Sequence, residues 1–210
     1  DRGMPSLTLR GNSAPEVADG RVYLGYDGGQ VVALNLETGA QIWEQVVAVG
    51  EGRTELDRMV DVDGSIVVDG AQVYAASFRG QALAIDGVSA RPLWNREIST
   101  YAGFALAGQQ LLTVDDQGTV WSLDRSTGSA MWKQDVLAHR WLSPPAIQSS
   151  FAVVGDLEGY VHWLSVADGA LAAREQLGDE PIVASPVISA DGIAVVVSSS
   201  GRVAAYALEN

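Results

Sequence analysis

His139 and His162 are the only two imidazoles in a chain of 210 residues. A general base needs a nucleophile or an orienting carboxylate within hydrogen-bond reach. His162 occupies a repeating position filled elsewhere by Val32, Leu83, Trp121 and Ala204, so it reads as a structural residue. Serines are plentiful, yet no Gly-x-Ser-x-Gly stretch exposes one on a hydrolase-type elbow. Cysteine is absent, which removes thiolate nucleophiles, disulfides and thiolate metal sites together. Asp57, Asp61, Asp63 and Gly64 share part of the spacing of a calcium loop. The full ligand series and closing glutamate are lacking, so a solvated acidic loop is the reading. The expectation is no catalytic residue, no metal and no cofactor.

What remains is surface. The chain carries 13 Lys+Arg against 26 Asp+Glu, a formal net charge of −13, which speaks against nucleic acid as a partner. With 47% hydrophobic and 19% charged residues it can bury a core. No stretch approaches the ~18 apolar residues of a membrane-spanning helix. The opening Asp1-Arg2-Gly3 holds neither a start methionine nor a signal peptide, and a trimmed or partial chain is expected.

The elements that must position this surface are repeats. Aligned on Gly29, Gly80, Gly118, Gly159 and Gly201, the chain shows a period of about 40 residues. Two residues on stand Val31, Ala82, Val120, Val161 and Val203. Five on stand Leu34, Ile85, Leu123, Leu164 and Tyr206, followed by Asn35, Asp86, Asp124 and Ser165. Fourteen on come Trp43, Trp94 and Trp132, with Ala173 breaking the series. Short apolar runs such as Val22–Gly25 and Gln30–Leu36 alternate with glycine turns such as Glu37-Thr38-Gly39, Thr127-Gly128 and Asp168-Gly169, and helical periodicity never appears. Three or four strands per unit at this period mean an all-β fold, a β-propeller. The tryptophans are expected to pack between blades against the neighbour's Thr-Gly or Asp-Gly turn, and Ala173 to leave its junction less well filled. The units fall at approximately 13–48, 62–99, 101–137, 142–177 and 184–210, in one partial propeller domain over residues 1–210.

The unit pattern resembles the repeat of pyrroloquinoline-quinone (PQQ) dehydrogenases and their non-enzymatic relatives. Three longer stretches lie closer to one group: Met4–Gly11 with Ser13-Ala14-Pro15, Thr54–Arg58 with Asp61-Val62-Asp63, and Val154-Gly155-Asp156 with Glu158–Trp163. They are similar to the BamB family, lipoproteins of bacterial outer-membrane β-barrel assembly. His139-Arg140 with Leu142-Ser143-Pro144 also fits the family's appearance, as a capping or core position. The resemblance implies about five four-stranded blades from the C-terminal part of an eight-bladed parent, with PQQ-like repeats. It further implies a lipid anchor that this chain lacks and a place on the periplasmic side of the outer membrane of a Gram-negative bacterium. The fifth unit stops after its third strand, at Val203–Leu208, so an open arc or partner-assisted closure is expected.

The first interval between tryptophans is stretched by a loop between Val49 and Asp63 that mixes both charges with Leu56, Met59 and Val60. Extra loop length is where propellers place function. In the family, the corresponding leucines and arginine of the Leu-x-Leu-Arg segment and both aspartates of Asp-Val-Asp contact the POTRA domains of the barrel insertase BamA. That implies a partner-binding role for Leu7, Leu9, Arg10, Asp61 and Asp63. Two leucines would supply desolvated area, Arg10 a directional fork, and the aspartates complementary charge. The alternative roles are strand core for the leucines, turn capping for the aspartates, and an Arg10–aspartate pair. The function so implied is a non-enzymatic scaffold of the assembly (BAM) complex that binds BamA and supports folding of unfolded outer-membrane protein substrates. A fragment of a PQQ-binding quinoprotein dehydrogenase is the alternative, although the family's cysteine pair and carboxylate cluster are not found here.

Overall fold

The computed structural model describes residues 13–26, 29–48, 62, 64 and 66–208. The described residues contain nineteen strands in five antiparallel sheets and no helix. The first sheet runs β1 (Glu16–Ala18), β2 (Arg21–Tyr26), β3 (Gln30–Asn35), β4 (Gln41–Val46), and the second β5 (Val67–Asp69), β6 (Gln72–Ala76), β7 (Gln81–Asp86), β8 (Pro92–Glu97). The third holds β9 (Ala105–Ala107), β10 (Gln110–Val114), β11 (Val120–Asp124), β12 (Ala130–Gln134), and the fourth β13 (Ala146–Gln148), β14 (Phe151–Gly155), β15 (Tyr160–Ser165), β16 (Leu171–Gln176). The fifth is three-stranded: β17 (Val187–Ile188), β18 (Ala194–Val197), β19 (Val203–Tyr206). Each strand pairs with the next in sequence, so every sheet is a meander built from local hairpins.

Burial follows each strand's place. In the first two sheets the third strand is covered on both faces, which is why Val31, Val32 and Ala33 are buried in succession and Ala82–Ile85 likewise, whereas β19 of the three-stranded sheet buries none of its residues. The fourth strand of the first two sheets is buried at a single position, Trp43 in β4 and Trp94 in β8. A register shift recurs in each four-stranded sheet, at Ala33/Leu34, Ala84/Ile85, Ser122/Leu123 and Trp163/Leu164. Such a bulge bends the strand just before its turn.

The chain divides into two compact units. The first takes the described residues up to Phe104 with Ser126–Gly128, and the second takes Ala105–Arg125 and the described residues from Ser129 onward. In the first unit, Trp43 donates its Nε1–H to the Gly87 carbonyl at 2.8 Å. Asp86 Oδ1 caps the same turn by accepting from the Ser89 and Val88 amides at 2.7 and 3.1 Å. Trp94 lies flat against Gly128, where a Cβ would stand 2.6 Å from Cε3. In the second unit, Trp132 repeats both contacts: its Nε1–H reaches the Val166 carbonyl at 2.8 Å, and a Cβ on Gly169 would stand 2.6 Å from its ring. The tryptophans therefore dock on turns, as their spacing predicts.

Where β4 and β8 bury a tryptophan, β16 carries Ala173, and all six of its residues are exposed. The fourth and fifth sheets are joined by other means. Trp163, from the third strand, meets Tyr206 edge-on with centroids 5.1 Å apart. Its Nε1–H donates to Gln148 Oε1 at 2.7 Å, while Gln148 Nε2 donates to the Gly192 and Tyr206 carbonyls, both at 2.8 Å. That buried amide is fully used, which is the condition for burying it without loss.

Candidate partner-binding site

The five residues singled out in the sequence, Leu7, Leu9, Arg10, Asp61 and Asp63, lie outside the described residues. Of the described residues that adjoin the two segments, Ser13 and Val62 meet at Gly25 in the first unit, while Gly64 packs against the Gly103 backbone. The Gly25 N–H donates to Ser13 Oγ at 3.0 Å. A Cβ on Gly25 would stand 2.6 Å from the Val62 carbonyl oxygen and 2.7 Å from Ser13 Oγ, so only glycine lets the Val62 backbone and the Ser13 side chain come this close. Val62 is 1% exposed and belongs to a core cluster that includes Tyr23, Val31, Trp43 and Ile66. Its N–H points to the Tyr26 carbonyl at 3.4 Å.

The second unit repeats this junction. The Gly155 N–H donates to Ser143 Oγ at 2.9 Å, and a Cβ on Gly155 would stand 2.2 Å from Ile182 Cγ2. Ile182 is fully buried and donates its N–H to the Asp156 carbonyl at 2.9 Å, as Val62 does to Tyr26. The entry side also matches: Val47 donates to Gly29 O at 2.7 Å and Leu177 to Gly159 O at 2.9 Å. In sequence, fourteen residues (48–61) separate Val47 from Val62, where four (178–181) separate Leu177 from Ile182. Val47 and Val62, the described residues on either side of that interval, are both buried.

A second cluster, which spacing alone did not assign, surrounds Asp156 in the turn between β14 and β15. Its Oδ1 accepts from the Glu158 and Tyr160 amides, both at 2.9 Å. Its Oδ2 lies 2.6 Å from Arg140 Nε and 2.7 Å from His162 Nε2. Arg140 Nη2 also reaches Glu158 Oε2 at 2.7 Å, and the Arg140 guanidinium lies 5.6 Å from the centre of the Tyr160 ring. Burial pushes the Asp156 carboxyl up, but hydrogen bonds from His162, the Tyr160 amide and Arg140 together outweigh it and hold the group below its ordinary value. For Arg140, partial burial is likewise outweighed by its two carboxylates, which hold it more firmly protonated. His162 is fully buried, and its Nδ1 has no hydrogen-bond partner. The third sheet carries the same device with a different side chain, Trp121 Nε1–H donating to Asp115 Oδ2 at 2.8 Å. The signal was present in the sequence as Asp115 and Asp156, each three residues before a repeat glycine and six before Trp121 or His162.

Arg140 sits between two non-glycine residues in the left-handed region, His139 at φ 62° and Trp141 at φ 53°. His162 therefore holds the structural position read from the repeat. Among the described residues no group of three His, Cys, Asp or Glu is placed to hold a metal ion, and no helix is long and apolar enough to cross a membrane.

Comparison with known proteins decides between propellers that share this architecture. The family model described as "Outer membrane protein assembly factor BamB" matches residues 1–134. The chain belongs to the BamB family. It is 46% identical to the BamB of Xanthomonas campestris pv. campestris over 97% of this chain and 50% of that protein. It is 42% identical to the BamB of Pseudomonas aeruginosa over 98% of this chain and 54% of that one. The chain thus spans about half the length of the curated relatives it matches. The crystal structure of BamB from Moraxella catarrhalis superposes with a TM-score of 0.91 at 26% identity, covering 99% of this chain and 62% of that one. The five sheets are accordingly blades of a BamB-type β-propeller with PQQ-like repeats.

Proposed function

We propose that this chain acts, without catalysis, as a scaffold in outer-membrane protein assembly, on the periplasmic side of a Gram-negative outer membrane. It would grip the POTRA domains of BamA through Leu7, Leu9, Arg10, Asp61 and Asp63. The observation that supports this reading is the meeting of Ser13 and Val62 at Gly25. The chain that follows Arg10 and the residue between the two aspartates are fastened to one glycine in one unit. A rigid common anchor is what two recognition segments need if they are to engage one partner without each losing chain entropy separately.

The test is a titration of purified BamA POTRA domains against the chain. Arg10→Ala is expected to cost about 2 kcal/mol of affinity, in the range of an interface hot spot, with thermal unfolding nearly unchanged. Asp61→Arg should weaken the same titration by reversing a charge. A variant Arg10→Ala that melts early yet binds normally would return Arg10 to a structural role.

A further inference from the structure

In the second unit a row of loop tips presents apolar side chains to solvent beside an acidic cleft. Trp141 is 58% exposed, Leu157 47% and Val183 64%. Backbone bonds tie the loops side by side. The Leu157 N–H donates to the Arg140 carbonyl at 3.0 Å, Ile182 to Asp156 at 2.9 Å, and Ser199 to Pro181 at 2.8 Å. The loop that leads to Val183 lines a cleft of about 280 Å³ through Gly178, Asp179 and Glu180, together with Ser198, Ser200 and Arg202.

The shape of Trp141 is costly to keep. A bulky residue in the left-handed region is a backbone outlier, and exposing an indole forgoes the burial that stabilises such residues. Conformations of this kind persist where the surroundings enforce them, and they cluster at functional sites. The enforcing contacts are the clamp of Asp156 and Glu158 on Arg140, immediately before Trp141.

The charges select the occupant. Arg140 is engaged by two carboxylates; Arg202, which lines the cleft, turns its Nη1 to the Leu177 carbonyl at 2.8 Å and is outnumbered there by the carboxylates of Asp179 and Glu180. Asp179 receives only a neutral bond, from the Gln176 amide at 3.2 Å. Glu180 and Asp179 are exposed in a chain of net charge −13. A cleft at the small end of the range for ligand pockets has room for a side chain. We infer that this row of loops docks an extended polypeptide segment carrying lysine or arginine beside an aromatic or aliphatic residue. The apolar side chain rests on Trp141, Leu157 and Val183, and the cation enters the cleft toward Asp179 and Glu180. This surface is separate from the POTRA-binding reading and does not depend on it.

The probe is a fluorescein-labelled peptide of alternating phenylalanine and lysine, titrated with the full chain and followed by anisotropy. Phenylalanine–glutamate and serine–lysine peptides are the controls. Trp141→Gly suits the left-handed backbone, so it should melt no earlier than the parent while losing at least tenfold in affinity. Glu180→Lys should lose at least tenfold as well. Asp191→Lys, the same charge change in the β17–β18 turn at the other end of β18, should lose less than twofold. Equal binding of all three peptides, undiminished binding by Trp141→Gly, or an equal loss in Asp191→Lys would reduce the effect to net charge and overturn the proposal. Self-association of the chain that Trp141→Gly abolishes would place a second copy on these loops and overturn it too.

Discussion

Asp156 carries four contacts on one buried carboxylate, two from backbone amides that shape its turn and two from side chains that would otherwise be badly placed. With Nε2 bonded to Asp156, His162 keeps its single remaining ring nitrogen unpartnered in the interior, so loss of the carboxylate would strip the imidazole of its last bond. Removing one member of a buried pair is expected to cost 3–5 kcal/mol. Asp156→Ala should fall near ~3 kcal/mol, the lower end of that range, because Arg140 is 24% exposed and retains Glu158. The pH dependence follows from the direction of the shift. A carboxyl held below its ordinary value contributes stability that is complete above its unfolded value and is lost as pH falls through its folded one. Melting temperatures of the parent and Asp156→Asn should therefore differ by a constant amount from pH 8 to about pH 5, then converge in more acid solution. A gap that widens on acidification would mean the carboxylate is not the group being stabilised.

Between elements, the recurring contact is an indole against a glycine turn. A Cβ on Gly169 meets two penalties at once. The left-handed backbone, φ 75°, costs an ordinary residue about 1–2 kcal/mol, and overlap with the Trp132 ring adds about 1–3 kcal/mol. Gly169→Ala should destabilise by about 3 kcal/mol in the parent, but only by the backbone part when Trp132→Ala has vacated the space. Chemical denaturation of the four members of this cycle measures the coupling, and simple additivity would deny the contact. This interaction was legible in the sequence because an indole is rare and its spacing repeats. The serine–glycine junction was equally regular, Ser13 to Gly25 and Ser143 to Gly155 at the same separation, but serine and glycine are common and the pair did not stand out. Trp141 left no signal at all. A left-handed tryptophan follows from the contacts around Arg140, made by residues 16 and 18 positions away, and local propensity cannot report them. The segments proposed to bind BamA rest on resemblance, and the correspondence of Val47 and Val62 with Leu177 and Ile182 lies in backbone bonds that residue types do not report.

For the molecule as a whole the governing quantity is the charge of −13, with a sequence pI near 4.4. Like charges confined to a folded chain repel one another more than in the expanded unfolded state, so a large net charge destabilises compactness. Salt shortens the reach of that repulsion, with a Debye length of about 30 Å at 0.01 M and about 8 Å at 0.15 M. At pH 7 the melting temperature should rise as sodium chloride is added over this range. The same addition near pH 4.4 should change it little, because the net charge has been titrated away. Binding responds with the opposite sign. The contacts proposed for Asp61, Asp63 and Arg10, and the cation proposed to meet Asp179 and Glu180, would be attractions between unlike charges, which the same salt weakens. A salt series that reads melting temperature and POTRA affinity on one sample should therefore show the first increasing while the second declines. If both fall together, loss of the fold accounts for the lost binding; if affinity is indifferent to salt, the apolar anchors Leu7 and Leu9 carry the contact and the charged residues do not.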